Sequence, residues 1–332
     1  MKIRINTADI HQVLKVSSAE KISIIAHNNT VHIISDIKEV KNGISEDKVI
    51  CRAHSPWIEK EGEISINRDV LMALLENHEL LIDENSLECG NRKISFIPSA
   101  AIDNNLINFS EVSTVSKIKF DKLIEVEYAA CKTDERPILM GIYFYQNEAA
   151  ALDGFRVAIR TEDVDIPGIL IPVKLIKLYK KIKSKVSDIT ILETVNEVGL
   201  RIDNLIIITK KIPGDYIKYK DLIPKEFDRS VELDNKKFLS LLKSYKKVDY
   251  VKLNFSKDRL TIIASNETLT IEDQLECKFT GDEIEIAFNI KYLMETLKQY
   301  KNPIIRFNSN VQPLVITEEG KKDLILPVRL KK

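Results

Sequence analysis

Six stretches of the chain carry apolar residues at helical spacing, and they fall in pairs. Residues 7–16 and 67–77 form the first pair, 121–131 and 172–186 the second, 234–247 and 289–300 the third. Thr7 is of the type that opens a helix by capping it. Successive first helices start about 114 residues apart, a fixed period of the kind that repeated architectures leave in a sequence. Between the helices lie short β-rich runs, among them Ile22-Ser23-Ile24-Ile25, Val31-His32-Ile33-Ile34, and residues 200–209, 250–255 and 260–264. Many alternate apolar with polar, as half-buried antiparallel strands do. Two helices with several strands, three times over, predict α+β domains of about 110 residues each. The apolar pattern lapses near 109–112 and 225–228, which sets expected domains at 1–111, 112–226 and 227–332.

The most distinctive stretch runs from Arg136 to Arg160. It predicts a strand from Ile138 to Tyr145, a polar turn at Gln146-Asn147-Glu148, and a second strand reaching Leu152-Asp153-Gly154-Phe155-Arg156-Val157. The Asp-Gly pair marks a tight turn, with Arg156 expected to project outward one residue after an aromatic.

Composition narrows the class. Of 332 residues, 44% are hydrophobic and 30% charged, with 10 Gly and 10 Pro, so the chain can build globular cores. Lys plus Arg equals Asp plus Glu, 50 each, and a zero net charge leaves nucleic-acid binding to the local distribution of charge. Cys51, Cys89, Cys131 and Cys277 form no CxxC pair, which reads as buried reduced thiols rather than a metal site or disulfide framework. The start, MKIRINTADIHQVL, has no apolar signal core, and no run approaches a membrane span. A soluble, cytoplasmic protein is expected.

Charge is patterned on two helices. In 172–186, Leu175, Tyr179, Ile182 and Val186 make a core stripe, and Lys174, Lys177, Lys181 and Lys185 make another, roughly 130° around. In 234–247, Phe238, Leu242 and Tyr245 face one way, and Lys236, Lys243 and Lys247 the other. Lysine stripes without matching acids would contact phosphates without reading bases; the alternative is a solvated helix face. The helix at 289–300 mixes Lys291 and Lys298 with Glu295, and 67–77 offers Arg68 against Asp69 and Glu76.

Three segments in order, the Arg136–Arg160 stretch, Gly214-Asp215-Tyr216-Ile217-Lys218-Tyr219-Lys220-Asp221-Leu222-Ile223-Pro224, and Leu324-Ile325-Leu326-Pro327-Val328-Arg329-Leu330, resemble the bacterial DNA polymerase III beta subunit, or sliding-clamp, family. The resemblance covers about the last two-thirds of the chain. It implies a DNA-clamp fold of three similar domains, each of two helices packed on antiparallel sheet, with two subunits closing head to tail around duplex DNA. It also implies a pocket for partner peptides such as the Gln-Leu-x-Leu-Phe type, through which a replicative polymerase, a clamp loader and other partners would bind. Carried over one by one, the pocket residues are Leu139, Leu152, Gly154, Phe155, Arg156, Val157, Leu222, Val248, Asn289, Tyr292, Val311, Pro313, Leu324, Leu326, Pro327, Val328, Arg329 and Leu330. Mostly aliphatic with a few polar groups, they suit an extended peptide, with Arg156 and Arg329 expected to meet it at the rim. Arg136 joins the lysines as DNA-facing, and Ile94 and Phe96 are expected at the subunit interface. Phe155 stands where the family commonly has a smaller polar or histidine side chain, and Ile217 where proline is usual.

Two other readings come from the residues. One is a clamp-derived interaction module that does not encircle DNA, suggested by the weaker first-domain match and the uneven basic lining. The other is a DNA-processing enzyme using Asp134, Glu135, Asp163 and Asp165 with a metal. Against an enzyme, no GxxxxGK[ST], GxGxxG or HExxH pattern occurs, and no catalytic residue, cofactor or metal is expected.

Overall fold

The structure, a computed structural model, describes residues 1–37, 47–98, 110–133, 135–182, 186–245 and 248–329. It divides into two compact units. The first comprises Met1–Asp121, Asp165–Pro167 and Ile171–Ile212, and the second Lys122–Val164, Gly168–Leu170 and Pro213–Lys332.

Six α-helices are described, each following a strand, directly or (α5) after one residue: α1 (Thr7–Val16), α2 (Arg68–Met72), α3 (Lys117–Leu123), α4 (Val173–Lys181), α5 (Asn235–Ser244) and α6 (Ile290–Leu297). Four are opened by the side chain of the residue before them, Asn6, Asn67, Asp234 and Asn289, each accepting from a backbone N–H of the first turn. The cap of α1 is therefore Asn6 rather than Thr7, whose hydroxyl accepts from His78 N–H at 3.0 Å. The expected helix at 67–77 stops at Met72, and Asn77 takes a left-handed φ of 59°. The helix expected at 121–131 begins earlier, at Lys117, and tightens into a 3-10 turn over Ile124–Ala129. The helix expected at 172–186 ends at Lys181.

Every recorded strand pairing is antiparallel. In the first unit a five-stranded sheet runs in the order Trp57–Lys60, Lys2–Asn6, Glu79–Asp83, Ser86–Cys89, Arg92–Ser95. An eight-stranded sheet there joins Ser110–Ser116, Asp188–Glu193, Glu197–Ile202 and Leu205–Lys210 to Lys48–Arg52, Thr30–Asp36, Lys21–His27 and Gly62–Asn67. The junction pairs Leu205 with Cys51 and Ile207 with Val49. The run expected at 200–209 is thus two strands, turned at Asp203, whose φ is 60°. Beside that turn the buried Asp9 carboxylate accepts from His54 N–H at 2.9 Å and from Asn204 Nδ2 at 3.1 Å.

In the second unit a ten-stranded sheet begins with Gly141–Leu152, Arg156–Pro172, Lys321–Ile325 and Leu314–Glu318, and continues through Ile304–Phe307, Arg229–Leu233 and Thr270–Thr280 to Arg259–Ser265, Tyr250–Ser256 and Ile284–Asn289. Instead of a turn at Gln146-Asn147-Glu148, the strand continues to Leu152, and the positive φ of Gln146 (55°) is absorbed within it. Phe238, Leu242 and Tyr245 of the α5 region pack with Leu293 and Leu297 of α6 over these strands, so the expected core stripe of α5 is the core. In the first unit Leu175 and Tyr179 of α4 are likewise buried, with Ile182 and Val186 half-buried.

Candidate functional site

The Asp-Gly turn expected at 153–154 is built as its sequence demands. Asp153 Oδ1 accepts from the backbone N–H of Phe155 (3.0 Å) and Arg156 (3.1 Å), and Gly154 takes φ of +90°. The roles of the next two side chains are the reverse of the expectation. Phe155 is the one thrust out, 56% exposed, while Arg156 is buried at 3%.

Arg156 is buried because its hydrogen bonds are made inside the protein. Its Nε donates to Asp153 Oδ2 (3.0 Å), Nη1 to Glu295 Oε2 (2.7 Å) and Nη2 to the Tyr128 carbonyl (2.7 Å). Its guanidinium carbon lies 5.1 Å from the Tyr128 ring centre and 4.7 Å from that of Tyr292. Phe155 covers Tyr292 in turn, ring centres 5.6 Å apart and planes at 20°. Burial, and next the Asp153 charge, push the Tyr292 phenol above its ordinary pKa. Asn289 caps α6 through Lys291 N–H and Tyr292 N–H (2.9 and 3.3 Å), which aims Tyr292 at this ladder.

These groups wall a cleft of about 530 Å³ lined by Ala130, Cys131, Lys132, Thr133, Glu135, Arg136, Asp153, Gly154, Phe155, Arg156, Lys291 and Tyr292. Arg136, grouped with the DNA-facing lysines from sequence, stands in this cleft, Nη1 3.4 Å from where a Cβ on Gly154 would lie.

Beside the cleft, Leu139, Leu152, Val157 and Leu324 form one buried cluster with Ala150, Ile159, Tyr219 and Val315; Cys131 packs against it. Leu139 reaches it from a 3-10 turn, Pro137–Met140, rather than from a strand. Val157 and Leu324 meet as register partners of neighbouring strands. Leu222, 47% exposed, ends the 3-10 turn that begins at buried Tyr219.

Past Ile325 the tail leaves its ladder and runs between two elements. Leu326 N–H donates to the Phe155 carbonyl and Val328 N–H to the Ala287 carbonyl, both at 2.8 Å, with donor-less Pro327 between. Leu326, 43% exposed, and Arg329 face solvent, Pro327 and Val328 are half-buried, and Leu330 lies outside the described residues. Three expected residues stand apart. Val248 belongs to the core around Phe238 and Leu293, and Val311 projects from loop 308–313, with Pro313 half-buried at its end.

A charge network, buried at Arg160 and Asp323, holds the strands beneath. Arg160 Nη1 donates to Asp323 Oδ1 at 2.7 Å, Tyr128 Oη donates to Asp323 Oδ2, and Lys321 Nζ reaches Glu125 at 3.1 Å. Complete burial pushes the Asp323 carboxyl up, against the opposing pull of Arg160.

The lysine stripes fare unevenly. Lys177 and Lys181 on α4 and Lys236 and Lys243 on α5 are exposed, while Lys185 and Lys247 lie outside the described residues. Lys174 has a matching acid after all, Asp47 at 2.8 Å. Arg68 spends its guanidinium at the end of α1, on the carbonyls of Leu14 (2.8 Å) and the following Ser17 (2.6 Å). Ile94 lies in Arg92–Ser95, an edge strand of the five-stranded sheet, and Phe96 follows it, donating its N–H to the Asn85 carbonyl at 3.0 Å. Of the acids considered for metal chemistry, Asp134 lies outside the described residues. Among those described, no three His, Cys, Asp or Glu side chains are grouped to hold a metal.

Sequence reasoning missed Asp153, Tyr128 and Glu295 as partners of Arg156, and Lys132 and Lys291 as cleft residues. Only Asp153 carried a local signal, as the first residue of the Asp-Gly turn.

The fold with this cleft belongs to the DNA-clamp class. The pol III beta of Caulobacter crescentus superposes with a TM-score of 0.85 at 19% identity, covering 99% of this chain and 100% of that one. The DNA polymerase sliding clamp from Bacillus subtilis superposes at 0.82 and 21%, with full coverage of both. Residues 114–218 match the model of the DNA polymerase III beta subunit central domain, and residues 220–329 that of its C-terminal domain. The chain belongs to the DNA polymerase III beta subunit family. Relatives include the beta sliding clamps of Buchnera aphidicola, 26% identical over 90% of this chain and 85% of that one, and Rickettsia bellii, 24% identical over 99% and 100%.

Proposed function

We propose that the protein is a DNA polymerase processivity factor: a non-catalytic clamp, paired head to tail with a second copy, that encircles duplex DNA and tethers a replicative polymerase by a peptide. The reading rests on membership of the beta-subunit family. The observation that carries its binding half is the buried cluster of Leu139, Leu152, Val157 and Leu324 next to the cleft, with exposed Leu222 preceding Ile223, which packs on that cluster, and exposed Leu326 two residues past Leu324. Such a site grips large apolar side chains of an extended segment, and the flanking polar groups orient it.

On this reading Lys177, Lys181, Lys236 and Lys243 face DNA, Ile94 and Phe96 lie at the subunit interface, and the domains are those expected at 1–111, 112–226 and 227–332. A cytoplasmic site of action fits; no described helix is long and apolar enough to cross a membrane. The reading as a module that does not encircle DNA is not favoured, because the relatives named as clamps match along nearly the whole chain.

The test is topological. Non-specific phosphate contacts weaken steeply with salt, whereas a closed ring on circular DNA has no end to leave by. Protein assembled on nicked circular DNA should survive a rise in salt that strips it from linear DNA of the same length. Equal loss from both would overturn the ring.

A further inference from the structure

We infer that the cleft beside the apolar cluster takes up a carboxylate of the partner segment, set against the Phe155–Tyr292 wall and met by Arg136. The inference rests on the peptide-binding reading above and names the chemistry of one partner residue.

Four bases and two acids are among the described residues that line the cleft, and they are not equally available. Arg156 and Asp153 are satisfied by each other, by Glu295, and by the backbone of Tyr128, Phe155 and Arg156. Lys132, Arg136 and Lys291 are exposed, and among the described residues none of the three is paired with an acid. Glu135 is the one uncommitted acid among the described lining residues. Among the described lining residues the available charge is therefore positive, and an occupant with a negative group restores the balance.

Geometry narrows the group. Arg136 stands over Gly154, where the missing Cβ lets its Nη1 lie 3.4 Å from the position a side chain would occupy. Its planar fork suits two oxygens of one carboxylate better than a point charge would. Phe155, stacked on Tyr292 at 20°, offers a flat apolar face next to that fork. A short acidic side chain at the end of an apolar anchor fits both surfaces. A neutral amide offers Arg136 one acceptor and leaves the lysines uncompensated.

Two labelled peptides on the full-length protein decide it: Gln-Leu-x-Leu-Phe and the same peptide with glutamate leading. The glutamate peptide should bind about fivefold more tightly at low salt, the scale of one exposed ion pair. The preference should shrink in high salt and disappear in Arg136→Gln. Equal binding, tighter binding of the glutamine peptide, or a preference that survives Arg136→Gln would overturn the inference and leave the peptide site standing. Failure of both peptides to bind would remove the peptide-binding reading, and the inference with it.

Discussion

Replacing Arg156 with alanine removes the side chain on which the site is assembled, and the structure sets the scale of the loss. Three charge-assisted hydrogen bonds of 2.7–3.0 Å and two ring contacts disappear together. Asp153 and Glu295, with side chains only 11% and 26% exposed, are left without their countercharge. Breaking a buried pair from one side costs about 3–5 kcal/mol, most of it the stranded partner rather than the lost bond. Because Glu295 keeps some water, a loss near 3 kcal/mol is expected, read by urea denaturation. Hydrogen exchange should rise along Asp153–Val157 and α6, since both are held by the same guanidinium. A second variant separates the causes. Arg156→Met restores packing between Tyr128 and Tyr292 but strands the same acids, so adding Glu295→Gln to it should recover about 1–2 kcal/mol. An alanine variant that loses less than about 1 kcal/mol, or a double variant no more stable than Arg156→Met alone, would refute the argument that stranded charge dominates.

Leu139→Ala should cost about 2–5 kcal/mol, because Leu139 is fully buried among Leu152, Val157 and Leu324, and it should weaken peptide binding as well. Denaturation midpoints and a peptide titration on the same sample check both, and a stable variant with normal peptide affinity would show that the cluster does not support the site. In the first unit, burial and next the Arg52 charge lower the pKa of His32, whose Nδ1 is buried without a partner among the described residues. The unfolded chain then holds the proton at a pH where the folded one has released it. The contribution to stability is complete above the ordinary histidine value of about 6.5 and is lost as pH falls through the lowered folded value. The stability difference between wild type and His32→Gln should therefore shift against wild type from pH 8 to pH 5. A difference independent of pH would mean that His32 titrates alike in both states.

What was legible in the sequence is what a few neighbouring residues decide. The apolar spacing of α1, α5 and α6 needs only one turn of context, and Asn67, Asp234 and Asn289 announce helix starts by their own side chains, whereas at α1 the cap is Asn6 and not the expected Thr7. Helix ends were harder. Leu74 and Leu75 continue the helical spacing past Met72, yet Leu75 is exposed and the chain turns away through a left-handed Asn77, a choice made by packing rather than propensity. The Asp-Gly turn was read correctly, but not the direction of the arginine after it. That direction is decided by Glu295, 139 residues on, and Lys174 likewise finds Asp47 across 127 residues. The sequence reading sets Arg136 toward DNA and Arg156 at the pocket rim. Once Glu295 and Asp153 have claimed the second, the first is left in the cleft with its fork available. On the inference drawn above, recognition would pass from the residue the family pattern suggests to the one that long-range pairing leaves unspent.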